Sequence, residues 1–414
     1  MILAAAAALV LCACAKVETS NNNAPEAISF SVYAGKAAAT KAVSGTDFGT
    51  LTNTELQAST NGFGVFAYYT DADDYNSDIK ANFMYNQQVK YSAGAWSYSP
   101  VKYWPNEHGA SAVSTDTDKL TFLAYAPFVA NDDIDNDKGV SITDKAGTAA
   151  ADEGIIAMTA NNVAGDATLT FKVPASSEEQ IDLLYGVLGA QYVDVEGVTK
   201  GTVGDPLENL TKQKTDGKIN ILFKHALAKI AIDIKEVVDA EDPTTTINPV
   251  SDGTKVVVKS VKLKGTAIGT QAKFNLYTGA WSDFTTATEF TVAPLPTSIS
   301  VDAKPATYPG IAGVDEDGLD STIDLMLIPG DSSKITGVDI VYYVCTEDSQ
   351  LDGGVCVVEN KISKDFGTPL AIDKGKQYGL NLLLGLTSID LTATVEAWDV
   401  IAPATDVDLP KNVD

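Results

Sequence analysis

The 414-residue sequence predicts an all-β fold made of two tandem antiparallel β-sandwich domains. Beyond residue 25, the apolar segments are short and alternate with polar residues, as in strands that bury one face. Gly, Asn, Asp or Pro bounds nearly every segment, which is typical of antiparallel sandwiches. The chain is long enough for two domains that each bury a core.

The first 14 residues are predicted to be a lipoprotein signal segment. Their apolar run is too short to span a bilayer and ends in small residues and cysteine. Cys14 fits a bacterial lipobox as the lipidated residue better than Cys12, which follows the bulky Leu11. No lysine precedes the apolar run, which departs from an ordinary signal peptide. We expect export as a palmitate-bearing lipoprotein, with residues 15–42 forming a tether and a first strand.

The first strand is followed by a lysine-bearing loop. Ile28, Phe30 and Val32 alternate with polar neighbours and predict one buried face. Lys36 and Lys41 stand among small residues without an apolar face. This composition favours an exposed and cleavable loop.

The two domains are predicted to span residues 43–238 and 239–400. An acidic, proline-containing run after residue 238 is the best linker candidate. Before it, the apolar residues change from odd positions such as Ile219 to even positions such as Ile230. Because a one-residue slip turns every side chain to the other face, a bulge or corner is expected near residues 228–229. Further strands are predicted at 62–69, 83–105, 119–127, 181–188, 255–268, 274–281, 321–329, 377–386 and 388–400.

Cys345 and Cys356 flank a polar, glycine-containing turn and lie symmetrically about its centre. An antiparallel hairpin would then place them opposite each other. A cross-strand disulfide suits an oxidising compartment. Two reduced, buried cysteines would serve the same hairpin, and both alternatives stay open.

The composition argues against nucleic-acid binding and against catalysis. There are 55 acidic and 29 basic residues, every basic residue is lysine, and the net charge of −26 repels phosphate backbones. Only His108 and His225 occur, which leaves little material for a histidine metal site or a catalytic triad. His225 is expected to be a packed or hydrogen-bonded strand residue. Core packing is likewise the expectation for the four tryptophans, with a sugar-binding platform as the alternative. We predict no enzyme and no cofactor.

One acidic loop resembles the start of a calcium site. Asp133, Asp135 and Asp137 alternate like the first oxygen ligands of such a loop, but Lys138 stands where glycine is needed. A solvated acidic loop is favoured, and no metal site is assigned.

Several stretches together resemble the fimbrillin-like family, the type V pilins of Gram-negative gut and oral bacteria. These stretches follow one order over almost the whole chain. They are the lipobox at Cys14, "ISFSV" before "TKA", "VKYWPNE" followed by "KLTFLAYAP", "ILFKHALAKIAIDI" and "GKQYGLNLLLGLTSIDLTATVEAWDV". The resemblance implies transthyretin-like sandwiches, an outer-membrane lipoprotein precursor, proteolytic removal of the first segment at the surface, and polymerisation into fimbriae that serve adhesion and colonisation. Some members are cut by an arginine-specific protease. Since this chain has no arginine, cleavage is expected after Lys36 or Lys41.

The implied assembly would exchange strands between subunits. Removing the first strand leaves a groove, which the carboxyl-terminal strand of a neighbour would fill. Residues 401–414 supply the predicted donor, and Pro403 and Pro410 limit its pairing. The apolar donor residues are Ile401, Val407, Leu409 and Val413.

The implied partners are other copies of the chain or related pilins, a maturation protease, the outer membrane through the lipid anchor, and a host glycan or protein. The alternative function is a lipid-anchored surface adhesin, fimbrial tip or anchor protein that binds such a host ligand without polymerising.

Overall fold

The computed structural model is an assembly of three β-sheets. It describes residues 26–33, 53–59, 61–105, 117–130, 153–175, 180, 182–189, 201–215, 217–236, 254–292, 322–330, 332–347, 349–351, 355–384 and 389–397. The all-β prediction is confirmed, since strands make up most of the described chain and its helices are two short ones.

The first sheet contains eight strands in the order β1-β10-β8-β5-β2-β3-β4, with β9 paired to β5. Its neighbours run antiparallel, except that β1 is parallel to β10. The strands are β1 (Ser29–Tyr33), β2 (Phe63–Asp71), β3 (Met84–Ser92), β4 (Ala95–Ser97), β5 (Lys119–Ala126), β8 (Leu184–Leu188), β9 (Leu207–Leu210) and β10 (Lys218–His225). Helices α1 (Asn53–Ala58) and α2 (Lys212–Thr215) lie in its connections.

The other two sheets contain mainly strands from the second half of the chain. One sheet has the order β14-β11-β17-β18, and the other has the order β16-β15-β12-β7-β6, with β13 paired to β12. Their strands are β6 (Gly154–Met158), β7 (Thr168–Lys172), β11 (Ala228–Glu236), β12 (Thr254–Asn275), β13 (Ala280–Val292), β14 (Thr322–Leu327), β15 (Lys334–Glu347), β16 (Val355–Ala371), β17 (Lys376–Leu384) and β18 (Ile389–Ala397).

The first sheet buries both of its faces, which explains why its central strands are apolar almost throughout. In β2, Phe63 and Val65 point into one hydrophobic cluster, whereas Phe66 and Tyr68 point into the other. We call the cluster that contains Ile28 and Phe30 the N-terminal core. The cluster to which all three sheets contribute is called the central core.

The predicted change of phase marks the passage from one sheet to another. Ile219 of β10 lies in the N-terminal core, and Ile230 of β11 lies in the central core. The corner is at Ala226 and Leu227, just before the predicted position. Ala226 donates its N–H to Leu183 and accepts the Trp281 indole N–H at 2.7 Å, while Leu227 accepts the Gly375 N–H. The corner is therefore tied to three other segments.

The division into residues 43–238 and 239–400 stays a prediction, and strand pairing crosses it. β7 pairs with β12, and β11 lies between β14 and β17. With β6, which pairs with β7, three strands that precede residue 238 thus complete sheets whose other members follow it.

Candidate functional site

The most distinctive site surrounds β1 and the residues that lead into it, which are hydrogen-bonded to two separate segments. On one side, Ser29 to Tyr33 pair in parallel with Lys218 to Leu222 of β10. Just before β1, the Ile28 N–H donates to Lys102 O and the Trp104 N–H donates to Glu26 O, each at 2.9 Å. We call residues 98–104 the strap, and we call the space between the strap and β10 the slot. Residues 26–33 occupy the slot, and β1 is the edge strand of the first sheet.

The apolar row predicted for β1 faces the core. Ile28 is 2% exposed and Phe30 is 4% exposed, and Val32 packs as a partly buried residue against the same cluster. The Phe30 ring makes edge contacts with Phe63 at 5.8 Å and with Tyr98 at 5.6 Å between centroids. These rings enclose Phe30 in the geometry that aromatic pairs prefer.

The Tyr98 hydroxyl joins β1 to the strap. Its oxygen lies 2.9 Å from Ile28 O and 3.2 Å from Lys102 O, and it accepts the Lys102 N–H at 3.3 Å. Burial raises the pKa of Tyr98, which keeps the hydroxyl protonated and able to donate. The strap thus contacts the backbone of the residues that lead into β1 through a side chain as well as through its own backbone.

Glu26 anchors the start of β1 to the loop before β10. Its carboxylate lies 2.9 Å from the Lys212 amine. It also lies against Gly217, where an added Cβ would come within 2.1 Å of Glu26 Oε1. Gly217 has φ +75°, a conformation that glycine adopts readily. The Gly217 carbonyl accepts the Trp104 indole N–H at 2.9 Å, so the strap and this loop are joined directly.

Most of the other predicted site residues lie outside the described residues. This applies to the lipidation residue Cys14, to the cleavage residues Lys36 and Lys41, to the donor residues Ile401, Val407, Leu409 and Val413, and to the calcium candidates Asp133, Asp135 and Asp137. Their roles stay predictions. In the described part of the chain, His, Cys, Asp and Glu side chains form no group of three that could hold a metal.

The expectation that Cys345 and Cys356 face each other is wrong. β15 and β16 pair Cys345 with Val357 and Thr346 with Cys356. The register therefore differs by one residue from one symmetric about the turn, and Cys356 is a free, exposed cysteine. Turn geometry sets hairpin register, and the sequence did not specify that geometry.

The histidine and tryptophan predictions concern packing. His225 Nδ1 lies 2.7 Å from Asp182 Oδ2, and both side chains are buried, as expected of a hydrogen-bonded strand histidine. Trp104 is buried, while Trp96 and Trp281 are partly buried against the cores. Trp398 lies outside the described residues.

Sequence reasoning missed the strap and the Glu26–Lys212 pair. The strap falls within a predicted strand segment, and its "VKYW" stretch alternates like any strand. The ion pair joins two residues from opposite ends of the first sheet's sequence, which no local pattern reveals. The sequence feature that indicated the region around β1 was the order of the fimbrillin-like motifs along the chain.

Neither of the described helices is long and apolar enough to cross a membrane.

The sequence of this chain is similar to those of known proteins. The model of the family described as fimbrillin-like matches residues 40–398. The fimbrium subunit Fim1C of Phocaeicola vulgatus is 26% identical over 188 residues, which cover 44% of this chain and 39% of that protein. The match thus spans about two fifths of the length of that relative.

The fold also resembles a solved structure. A fimbrial protein from Bacteroides vulgatus aligns with 90% of this chain and with 100% of its own, with a TM-score of 0.59 and 20% sequence identity.

Proposed function

Because this chain belongs to the fimbrillin-like family, we propose that it is a fimbrial subunit in which β1 is a temporary plug, exchanged for a strand of the neighbouring subunit. The pairing of β1 with β10, together with the hydrogen bonds from the strap to Glu26 and Ile28, carries this proposal. An edge strand whose departure exposes the backbone of its neighbour is the kind of element that a second chain can replace by β-strand addition.

An emptied slot is unfavourable. Burial of Ile28 and Phe30 contributes about 1.5–3 kcal/mol per side chain by transfer from water. Removing β1 with the residues before it would also leave unpaired backbone groups on β10 and the unpaired N–H of Trp104. Both costs favour capture of another strand.

The plug is proposed to leave after proteolysis behind Lys36 or Lys41. Both residues follow β1, so either cut would free residues 26–33 from the rest of the chain. Lipidation at Cys14 would hold the precursor at the outer membrane until that step. The maturation protease is then a transient partner.

The proposed donor is the segment 401–414 of a neighbouring copy or of a related pilin. It carries apolar residues such as Val407 and Leu409 at alternate positions, as an inserted strand requires. The assembled fibre would serve adhesion, and a host glycan or protein would be its final partner.

A disulfide that holds β1 in the slot tests the exchange. Ser31 and Asn220 are register partners, so Ser31→Cys with Asn220→Cys places two cysteines on neighbouring strands. The variant is made with Cys356→Ser, so that the exposed thiol does not compete. We expect the oxidised protein to form no heat-resistant ladders or fibres, and the reduced protein to form them.

Two control variants are needed for this experiment. Ser31→Cys alone, in the same background, should assemble with and without reductant. A chain that lacks residues 401–414 should keep an empty slot and form no ladders. Fibres from the oxidised double variant would refute the exchange of β1, and normal ladders from the truncated chain would remove the donor role from the tail.

A further inference from the structure

We infer that the mouth of the slot is a carboxylate-binding site, built by Lys212 and Gly217, which receives an acidic side chain of the incoming strand. The inference rests on the proposed function. Lys212 would determine which strand the slot accepts, and that strand would carry an acidic side chain.

The site is occupied by a carboxylate while β1 is in place. Glu26 Oε2 lies 2.9 Å from Lys212 Nζ, and the Lys212 and Glu26 side chains are 27% and 45% exposed. The carboxylate fits there because Gly217 has no Cβ. A side chain at position 217 would occupy the space that the Glu26 oxygens fill.

The proposed cut removes this carboxylate together with the plug. Glu26 precedes β1, and Lys36 and Lys41 follow it, so Glu26 leaves with the strand. Lys212 stays with the subunit and loses the carboxylate that it contacts at 2.9 Å. Processing thus converts an internal ion pair into a vacant cationic position at the mouth of the slot.

The remaining residues hold the site in shape without Glu26. The Gly217 N–H donates to Lys212 O at 3.1 Å, which closes the loop after α2. The Trp104 indole N–H donates to Gly217 O at 2.9 Å, and the Trp104 side chain is buried. Neither of these contacts involves the plug. A preorganised site loses less conformational entropy when it binds.

The proposed donor carries matching charge. Residues 401–414 contain Asp406, Asp408 and Asp414 but only one lysine, Lys411. Asp406 and Asp408 flank Val407, within the apolar part of the segment. A carboxylate at either position can take the place of Glu26 beside Lys212, whereas a lysine there would be repelled. The site therefore favours an acidic strand of a second copy over a neutral or basic strand.

A charge exchange separates this role from simple anchoring of β1. In the chain with Glu26→Lys and Lys212→Glu, the ion pair that holds the plug is retained with reversed polarity. We expect this chain to fold and to be processed like the wild type, as checked by amino-terminal sequencing. After processing, the carboxylate introduced at position 212 would repel the acidic tail, and the yield of heat-resistant ladders should fall by about threefold to tenfold.

Reversal of the tail should restore assembly. Adding Asp406→Lys and Asp408→Lys to the exchanged chain makes the charges complementary again and should return the ladder yield to near the wild-type value. Lys361→Glu is the matched control, because it makes the same lysine-to-glutamate change at a 74% exposed residue of β16, outside the sheet that contains the slot. It should reduce assembly much less than the exchanged pair does.

Different outcomes of these experiments would overturn this inference and the proposed function. Wild-type assembly by the exchanged chain would show that Lys212 only anchors Glu26 and would overturn the inference. A loss that the reversed tail does not rescue, or an equal loss from Lys361→Glu, would also overturn it. Failure of the processed wild type to form ladders would instead overturn the fimbrial proposal, and the inference with it.

Discussion

At the scale of single residues, the slot depends on a few side chains that the sequence pattern only partly identified. Alternation predicted that Ile28 and Phe30 face inward, because period-two patterning depends only on local order. It did not predict that Tyr98 would contact Phe30 or that Trp104 would bond to Glu26, because those contacts depend on how distant strands are arranged. A local pattern predicts which face of a strand is buried, but it does not predict which residues pack against that face.

Tyr68 provides a prediction about alkaline pH. Its hydroxyl lies 3.2 Å from Gly165 O, and burial, assisted by the charge of Asp166, raises its pKa to about 12. In the unfolded chain, tyrosine ionises near a pH of about 10. Between these values the unfolded state loses the proton and the folded state retains it. The free energy of unfolding should therefore fall as the pH rises above about 10.

Tyr68→Phe should weaken this pH dependence. The urea midpoint of the variant should fall less steeply than that of the wild type between about pH 9.5 and about pH 11.5. At neutral pH the variant should lose about 1 kcal/mol of stability with its hydrogen bond. Tyr103→Phe is the control, since Tyr103 is 51% exposed. Identical alkaline slopes for Tyr68→Phe and the wild type would contradict the assignment.

At the scale of elements, β1 shows what a sequence can and cannot specify about a strand. Its existence followed from alternation, but its partner and direction did not. β10 lies far along the chain from β1, and the pairing is parallel, so no short connection signals it. The cysteine hairpin shows the same limit. Its two strands were predicted, but their pairing differs by one residue from the predicted register.

Phe30 should control how firmly β1 is held. Phe30→Ala removes a buried ring from contacts with Phe63, Tyr98 and Phe122, at a cost of about 3–5 kcal/mol. In the uncut chain, amide hydrogen exchange in β1 and β10 should accelerate by about a hundredfold or more, as measured by mass spectrometry. Exchange in β15 should not change.

Ser29→Ala is the matched control for this prediction. Ser29 lies next to Phe30 on the same strand but is exposed. Its replacement should leave exchange in β1 and β10 near the wild-type rate. Equal protection of β10 in Phe30→Ala and Ser29→Ala would show that the Phe30 ring does not hold the strand.

At the scale of the whole molecule, the three sheets share one central core across the predicted domain division. β6, β7 and β11 precede residue 238 and belong to sheets whose other strands follow it. The linker signal near residue 239 reflects composition, whereas strand pairing is a property of the folded chain. A composition change therefore does not by itself establish the limit of a folding unit.

Residues 239–400 should not fold alone. This fragment lacks β11, which lies between β14 and β17, and β7, which pairs with β12. We expect its amide NMR spectrum to be poorly dispersed. As a control, a protease site placed within residues 239–253 of the full chain should give two pieces that co-elute after cutting. A well-dispersed spectrum of the isolated fragment would contradict the shared core.

The corner at Ala226 and Leu227 has a mechanical consequence. The backbone passes from β10, which forms one wall of the slot, directly into β11 at the middle of another sheet. Along the backbone, tension on a strand seated against β10 would reach β11 through these two residues, which the Trp281 and Gly375 contacts brace from the side. A pull applied at β10 would then pass into β11 with little extension of the backbone between the two strands.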